Sequence, residues 1–395
     1  MESWDRATAG RALPLSVVDL GAFDANAADL VARAGGTPIR VASKSLRVRS
    51  LIERALQIPG FAGVMSYAVS EAIWLARPGG GWGEGAASPG IDDVFVAYPT
   101  VDLAAVRQIT ADPVLADRIT LTIDSLEHVE LLARARGAHR LRVALDVDAS
   151  LRLGPPRLSV HLGVRRSPLR DPEDVAALAR AAGDRGLSVV GLMFYDAQIA
   201  GLPDNSPAVR WVKRRSAADL LARRTAIVSA ARQVADLEFV NGGGTGSLHV
   251  TGQDPVVTEL AAGSGLFGPT LFDGYRSFTP RPAAAFAIPV VRRPGPGIVT
   301  GFSGGYIASG PPGWSRVPRI LRPRGLKLIS AEGTGEVQTP VRGGAADRLS
   351  LGDRIWLRHA KSGELFERFD TVHLVRGDEV EESVPTYRGE GKNFG

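Results

Sequence analysis

This 395-residue sequence predicts an α/β chain: a (β/α)8, or TIM, barrel followed by a second, smaller C-terminal all-β domain. Three observations lead there. Eight short apolar runs rich in β-branched and aromatic residues alternate with Ala/Leu/Arg-rich segments whose apolar residues recur at helical spacing. The runs are almost continuously apolar, as expected of parallel strands covered on both faces, and eight such units over roughly 240 residues match a closed barrel. After about residue 280 the helical periodicity stops, and β-like pieces divided by Gly and Asp turns take over. An open doubly wound sheet is the structural alternative.

The elements follow in order. "ALPLSVVDLG" is strand-like, precedes the first barrel unit, and is expected to pair with the C-terminal strands. The barrel strands are "IRVAS" (39–43), "GVMSYA" (63–68), "DVFVAYP" (93–99), "ITLTID" (119–124), "LRVALDVD" (141–148), "LSVVGLMFY" (187–195), "LEFVNGG" (237–243) and "VVTELAAG" (256–263). Segments such as "SLRVRSLIERAL" and "PEDVAALARAAGDRG" supply the helices between them. Stretches 150–170 and 196–216 read as loops. "TPRPAAAFAIPVVRRPGPG" reads as a Pro-rich junction, and "YRGEGKNFG" as a disordered or lid-like tail. The expected division is an N-terminal strand segment (1–22), a barrel (23–280) and a β-domain (281–395).

Composition narrows the functional classes. Hydrophobic residues make up 44%, charged residues 23%, and the net charge is +5, with basic residues scattered rather than striped. That describes a soluble globular protein with no nucleic-acid footprint. There is no cysteine, which removes disulfides, thiolate metal sites and a cysteine nucleophile. No run approaches the roughly 20 apolar residues needed to span a bilayer, and the N-terminus lacks a signal-peptide pattern. A cytoplasmic protein that binds neither membrane nor nucleic acid is the expectation.

Two features carry chemistry. Lys44 stands between two serines at the end of the first barrel strand, on the face where barrel active sites lie, in a chain that prefers arginine to lysine. A desolvated lysine, or one beside other cations, becomes a Schiff-base nucleophile; Arg40 and Arg47 are near in sequence. The other reading is a solvated loop lysine. "VNGGGTGSL" (240–248) follows the seventh strand, and three side-chain-free residues let backbone N–H groups converge on a phosphate, with Thr245 and Ser247 as further donors. The other reading is a plain turn. Pyridoxal 5'-phosphate needs both an amine for its aldehyde and an anion site for its phosphate.

The segments "RVASKSL", "MSYAVSEAIWLA", "VFVAYP", "GLMFYDAQIAG" and "FVNGGGTGS" follow in the order seen in fold-type III pyridoxal phosphate enzymes, the alanine racemase-like family. The resemblance covers roughly residues 15–380 and is closest to the D-threonine aldolase and D-serine dehydratase branch. It implies that Lys44 holds the cofactor and that Gly243, Gly244 and Thr245 bind its phosphate. Tyr195 is then a phenol contacting cofactor or substrate, and Asn241 and Tyr275 either complete the phosphate shell or are structural. It also implies a homodimer acting on small amino acids. Arg165 or Arg166 is read as a clamp for a substrate carboxylate, or as part of a solvated basic loop with Arg152.

In "RIWLRHAKSGELFERF" (354–369), His359 matches a family histidine that, with a Cys or Asp two residues on, binds a divalent metal; here Lys361 occupies that second place. Either Glu364 takes over, giving an Mn2+ or Zn2+ site, or the metal is gone. His359 is also read as a proton-accepting base.

The reaction expected is lyase chemistry on β-hydroxy D-amino acids, with retro-aldol cleavage to glycine and an aldehyde. The alternatives are a D-serine dehydratase-like deaminase, and a racemase, for which only Tyr306 and Tyr387 offer a second base. A non-enzymatic cofactor-homeostasis protein is the remaining alternative, disfavoured by the long C-terminal region.

Overall fold

The computed structural model describes residues 2–79, 88–155 and 159–395, so residues 156–158 of the expected 150–170 loop lie outside the described residues. The chain forms two compact units. One comprises Met1–Ala28, Lys44–Leu51 and Ser264–Asn393; the other comprises Asp29–Ser43, Ile52–Gly263 and Phe394–Gly395.

In chain order, β1 (Leu15–Asp19) is followed by β2 (Ile39–Ala42), β3 (Phe61–Ser66), β4 (Val94–Val96), β5 (Ile119–Ile123) and β6 (Arg142–Asp146). Then come β7 (Leu151–Leu153), β8 (Val160–Leu162), β9 (Ser188–Phe194), β10 (Phe239–Gly242) and β11 (Glu259–Ala262). The second unit is a closed barrel of eight parallel strands in the order β10-β11-β2-β3-β4-β5-β6-β9. All eight expected strands are present. Both strand faces are dry: in β4, Val94, Phe95 and Val96 are all buried, which is why the sequence shows a continuous rather than alternating apolar run.

Phe95 of β4 and Phe239 of β10 meet at 5.3 Å although their strands are not neighbours, so these rings fill the lumen. At the N-terminal ends of the strands the lumen is closed by charge. Arg40 pairs with Glu259 at 2.6 Å and Asp93 at 2.7 Å, and Asn241 donates to Glu259 at 2.9 Å. A buried guanidinium is tolerated there because its N–H edge is met by two carboxylates, with the ring of Phe239 5.4 Å from its centre.

Two stretches expected to be loops are partly regular. Residues 150–170 contain the β7–β8 hairpin, too short and polar to read as strands. Residues 196–216 run into a helix, Pro207–Arg232, that begins with Pro in its first turn. Its buried apolar residues, Leu220, Ile227, Val228 and Ala231, lie in the second half, so the basic first half shows no apolar stripe.

The other unit continues with β12 (Ala284–Gly295), β13 (Ile298–Phe302), β14 (Arg319–Arg322), β15 (Lys327–Leu328), β16 (Gln338–Arg342), β17 (Arg354–Arg358), β18 (Thr371–Arg376) and β19 (Glu379–Pro385). They form one nine-stranded sheet, in which β1 lies between β12, antiparallel, and β18, parallel. The supposed Pro-rich junction is β12, its longest strand. Ala283 to Ile288 are fully buried, Pro289 still faces Arg354 in the ladder with β17, and Pro294 falls where the ladder with β13 shifts register, a position where a missing N–H costs little.

The tail is packed rather than disordered. Tyr387 is fully buried, its N–H donating to the Arg47 carbonyl at 2.9 Å. Phe394, counted with the barrel unit, stacks 5.6 Å from Trp74 and 6.5 Å from Tyr67.

Candidate active site

Because the barrel strands are parallel, residues directly following them emerge at one rim. Ser43 follows β2 and donates to the Met65 carbonyl at 3.1 Å, tying β2 to β3. Tyr195 follows β9. The Arg166 guanidinium carbon lies 4.6 Å from its ring centre and 5.5 Å from that of Tyr98. A guanidinium held by its faces keeps its N–H edge for a planar anion such as a carboxylate. Burial raises the Tyr195 phenol above its ordinary pKa, with Arg166 opposing, so it stays a neutral donor. Arg165 is exposed, and Arg152 is paired with Asp148 at 2.8 Å.

Asp146 ends β6 among these groups. Burial pushes its carboxyl up to about 7, opposed by Arg166 and reinforced by Asp124 and Asp148. Asp124, at the end of β5, is paired with His128 at 2.9 Å. A carboxyl poised near neutrality beside a cation can exchange protons at working pH.

The triple-glycine turn follows β10. Gly243 has φ +79°, and a Cβ on Gly244 would stand 2.8 Å from the Ala200 Cβ. Both positions therefore demand glycine. The Gly244 N–H donates to the Ser247 hydroxyl at 3.1 Å, and the Thr245 carbonyl accepts from Arg33 at 2.7 Å. Ser247 turns inward to Asp196 rather than outward as an anion donor, and Asn241 spends its NH2 group on Glu259. A side-chain-free turn braced from behind is what a phosphate needs, and these residues fit that group.

The other unit holds Lys44. It follows β2 by two residues, in a 3-10 turn Ser43–Ser45. Arg47, at φ +53°, pairs with Glu367 at 2.6 Å. Gly363 abuts Lys44: a Cβ there would lie 1.9 Å from the Lys44 carbonyl oxygen. The His359–Glu364 loop is thus seated against the lysine's backbone.

His359 is enclosed, with Phe267 edge-on at 6.4 Å. Neither ring nitrogen makes a well-formed hydrogen bond among the described residues, the Ala284 backbone offering only a weak one. Burial, with Arg358 adding to it, pushes the ring down to about 3, so it is neutral. Glu364 accepts from the Ser309 N–H at 2.7 Å, and Lys361 donates to the Ser309 hydroxyl at 2.9 Å. Among the described residues no group of three or more His, Asp or Glu stands together as a metal-binding set. The two side chains of the expected His359–Glu364 pair are engaged separately: His359 is sealed in the core, and the Glu364 carboxylate accepts from the Ser309 N–H. Tyr275 packs with Phe272 and Phe278, each at 5.2 Å, in an aromatic cluster of the same unit.

Asp146, Asp196, Tyr98, Thr251 and Gly363 are participants the sequence reading missed. Acidic residues closing apolar strands, in "LRVALDVD" and "GLMFYDAQ", were the available signal.

A parallel barrel with a strand-end lysine and a glycine anion turn defines a class. Residues 18–270 match the family described as alanine racemase, N-terminal domain, and the chain belongs to it. The family depends on pyridoxal 5'-phosphate. A curated relative, 3-hydroxy-D-aspartate aldolase from Paracoccus denitrificans strain Pd 1222, is 24% identical over 257 residues; the match spans 64% of this chain and 60% of that protein's length.

The fold is shared with D-threonine aldolase from Filomicrobium marinum, with a TM-score of 0.78 at 21% identity over 96% of this chain and 95% of that one. It is shared with D-threo-3-hydroxyaspartate dehydratase from Delftia sp. HT23, with a TM-score of 0.70 at 16% identity over 95% and 98%. Alanine racemase from Clostridium difficile 630, in complex with cycloserine, gives 0.65 at 12% identity over 95% and 99%. No described helix is long and apolar enough to cross a membrane.

Proposed function

We propose that this chain is a pyridoxal phosphate-dependent lyase that cleaves β-hydroxy D-amino acids to glycine and an aldehyde. The observation that carries the reading is the glycine turn after β10, braced from behind and closed to any side chain at Gly244. When bound, the cofactor supplies an electron sink that lets a bond to the substrate's Cα break heterolytically. Lys44 would hold it through its amine, and the turn of Gly243, Gly244 and Thr245 would receive its phosphate, the Gly244 N–H bracing the turn through Ser247 and the missing side chain leaving the room. Arg166, its faces against Tyr195 and Tyr98, would orient the substrate carboxylate.

Cleavage needs a base for the β-hydroxyl proton. Asp146, at about 7, is matched to that task. His359, held neutral at about 3, is not. Lys44 would then return a proton to Cα. The racemase alternative lacks support here: Tyr387 is fully buried, and Tyr306 is packed on Phe286 with its hydroxyl on Ser303 at 2.7 Å. The resemblance to this family also favours a homodimer, which size-exclusion chromatography with light scattering would test.

The test begins with the absorbance of purified protein given pyridoxal phosphate, and its loss in Lys44→Ala. D-threonine and 3-hydroxy-D-aspartate are then assayed for aldehyde with glycine, or for ammonia with a keto acid. Glycine as the product supports the aldolase reading; ammonia overturns it in favour of a dehydratase, and neither product overturns both.

A further inference from the structure

Asp196 is fully enclosed, and the site described so far gives it no task. It follows Tyr195 directly, and each of its carboxylate oxygens is engaged from the neighbouring loop. Oδ1 accepts from the Ser247 hydroxyl at 3.1 Å, and Oδ2 accepts from the Thr251 hydroxyl at 2.6 Å. Ser247 Oγ in turn accepts the Gly244 N–H at 3.1 Å. An unbroken line of donors thus runs from the third glycine's amide to a carboxylate on a different strand's loop.

Packing reinforces the same joint. The Asp196 carbonyl accepts from the N–H groups of Ile199 and Ala200, at 2.8 and 2.9 Å, and Ala200 is the residue that closes the space beside Gly244. Thr251 Cγ2 stands 3.0 Å from where a Gly242 side chain would begin. Beneath, Arg224 is ion-paired with Asp254 and lies 5.2 Å from the Phe194 ring; burial raises the Asp196 carboxyl above its ordinary pKa, and the Thr251 hydroxyl, the Arg224 charge and the Ser247 hydroxyl oppose that rise. Only a group that accepts twice satisfies both hydroxyls while Ser247 is itself accepting from Gly244. An amide cannot, because its NH2 would face one of those hydroxyls and force it to reverse.

We infer that Asp196 is a positioning residue: its carboxylate, through Ser247 and the Gly244 amide, locks the β9 and β10 loops into one piece, so the glycine turn that would take the phosphate is set at a fixed spacing from Tyr195. The inference rests on the cofactor reading above. Carboxylate acceptors of this kind act through geometry, and losing one misplaces the group it orients without unfolding the barrel.

The experiment compares the affinity of the apo chain for pyridoxal phosphate and for pyridoxal, which lacks the phosphate, by fluorescence titration in wild type, Asp196→Asn and Ser247→Ala. Wild type should prefer the phosphorylated form. Asp196→Asn should cut that preference about ten-fold while leaving pyridoxal affinity nearly unchanged. Thr251→Ser, which keeps the hydroxyl, should retain the preference. If wild type itself shows no preference, the cofactor reading fails and takes this inference with it. If wild type discriminates and Asp196→Asn keeps the ratio, or loses both affinities together, the positioning role alone is overturned. Should Asp196→Asn not fold, Ser247→Ala breaks the same line at its midpoint, and an unchanged ratio there overturns the role equally.

Discussion

Gly363 stands so close to Lys44 that a Cβ at position 363 would lie 1.9 Å from the lysine's carbonyl oxygen. Its φ of +97° adds a second reason for glycine, since that backbone region penalises any side chain. The residue therefore fixes where Lys44 begins its reach. Gly363→Ala is expected to lower stability by about 1–3 kcal/mol. It should also weaken cofactor uptake, because the lysine's backbone has to move. Thermal melts and absorbance titration check both. An unchanged melt with normal uptake would show that the loop yields freely.

Arg166 is held by two aromatic faces, and its guanidinium shape is what that stack selects. Lysine keeps the charge but neither the planarity nor the paired N–H edge. Arg166→Lys should therefore raise KM for the amino-acid substrate by roughly ten-fold or more, with cofactor affinity little changed. A fall in cofactor affinity of the same size would place Arg166 on the cofactor rather than the substrate.

Asp146 makes stability depend on pH in a defined direction. Its carboxyl titrates near 3.8 in the unfolded chain and at about 7 when folded, so folding favours the protonated form. That contribution is fully present below about pH 4 and falls as pH rises through the window up to 7. Asp146→Asn, always neutral, should match wild type at pH 4 and exceed it at pH 8, by at most ~4 kcal/mol. Denaturant midpoints at the two pH values test this. Equal gaps at both would mean that the carboxyl is ionised throughout. The same substitution should abolish turnover if Asp146 accepts the substrate's proton.

The contrast between what the sequence showed and what it hid follows from the range of the interactions. The eight barrel strands were legible because a parallel strand buried on both faces leaves a local signature, as in "DVFVAYP". The positions of Lys44 and the glycine turn were legible because each follows a barrel strand directly. β12 was hidden by its prolines, Pro289 and Pro294, and the first half of Pro207–Arg232 by its basic residues. Asp196 and Gly363 were out of reach for another reason: each acts on residues brought close only by folding, Asp196 on Ser247 and Gly363 on Lys44. His359 was assigned by analogy to a metal pair, and its burial against Phe267 could not be read locally.

His359 supplies the last prediction. A histidine at about 3 in the fold and 6.5 when unfolded stays neutral in the native state while the unfolded chain gains a proton on acidification. Its contribution to stability is present above about pH 6.5 and lost as pH falls toward 3. His359→Leu removes both the titration and two buried ring nitrogens without a well-formed hydrogen bond among the described residues, so acid lability should flatten with neutral-pH stability unchanged or improved. Because Lys361 and Glu364 are both engaged on Ser309, chelation with EDTA should leave wild-type turnover unaltered. A loss of activity on chelation, restored by Mn2+ or Zn2+, would mean that His359 swings out of its pocket to bind an ion. In that case His359→Leu should abolish the restoration while keeping the fold, and the acid-stability profile would separate the two roles of the same ring.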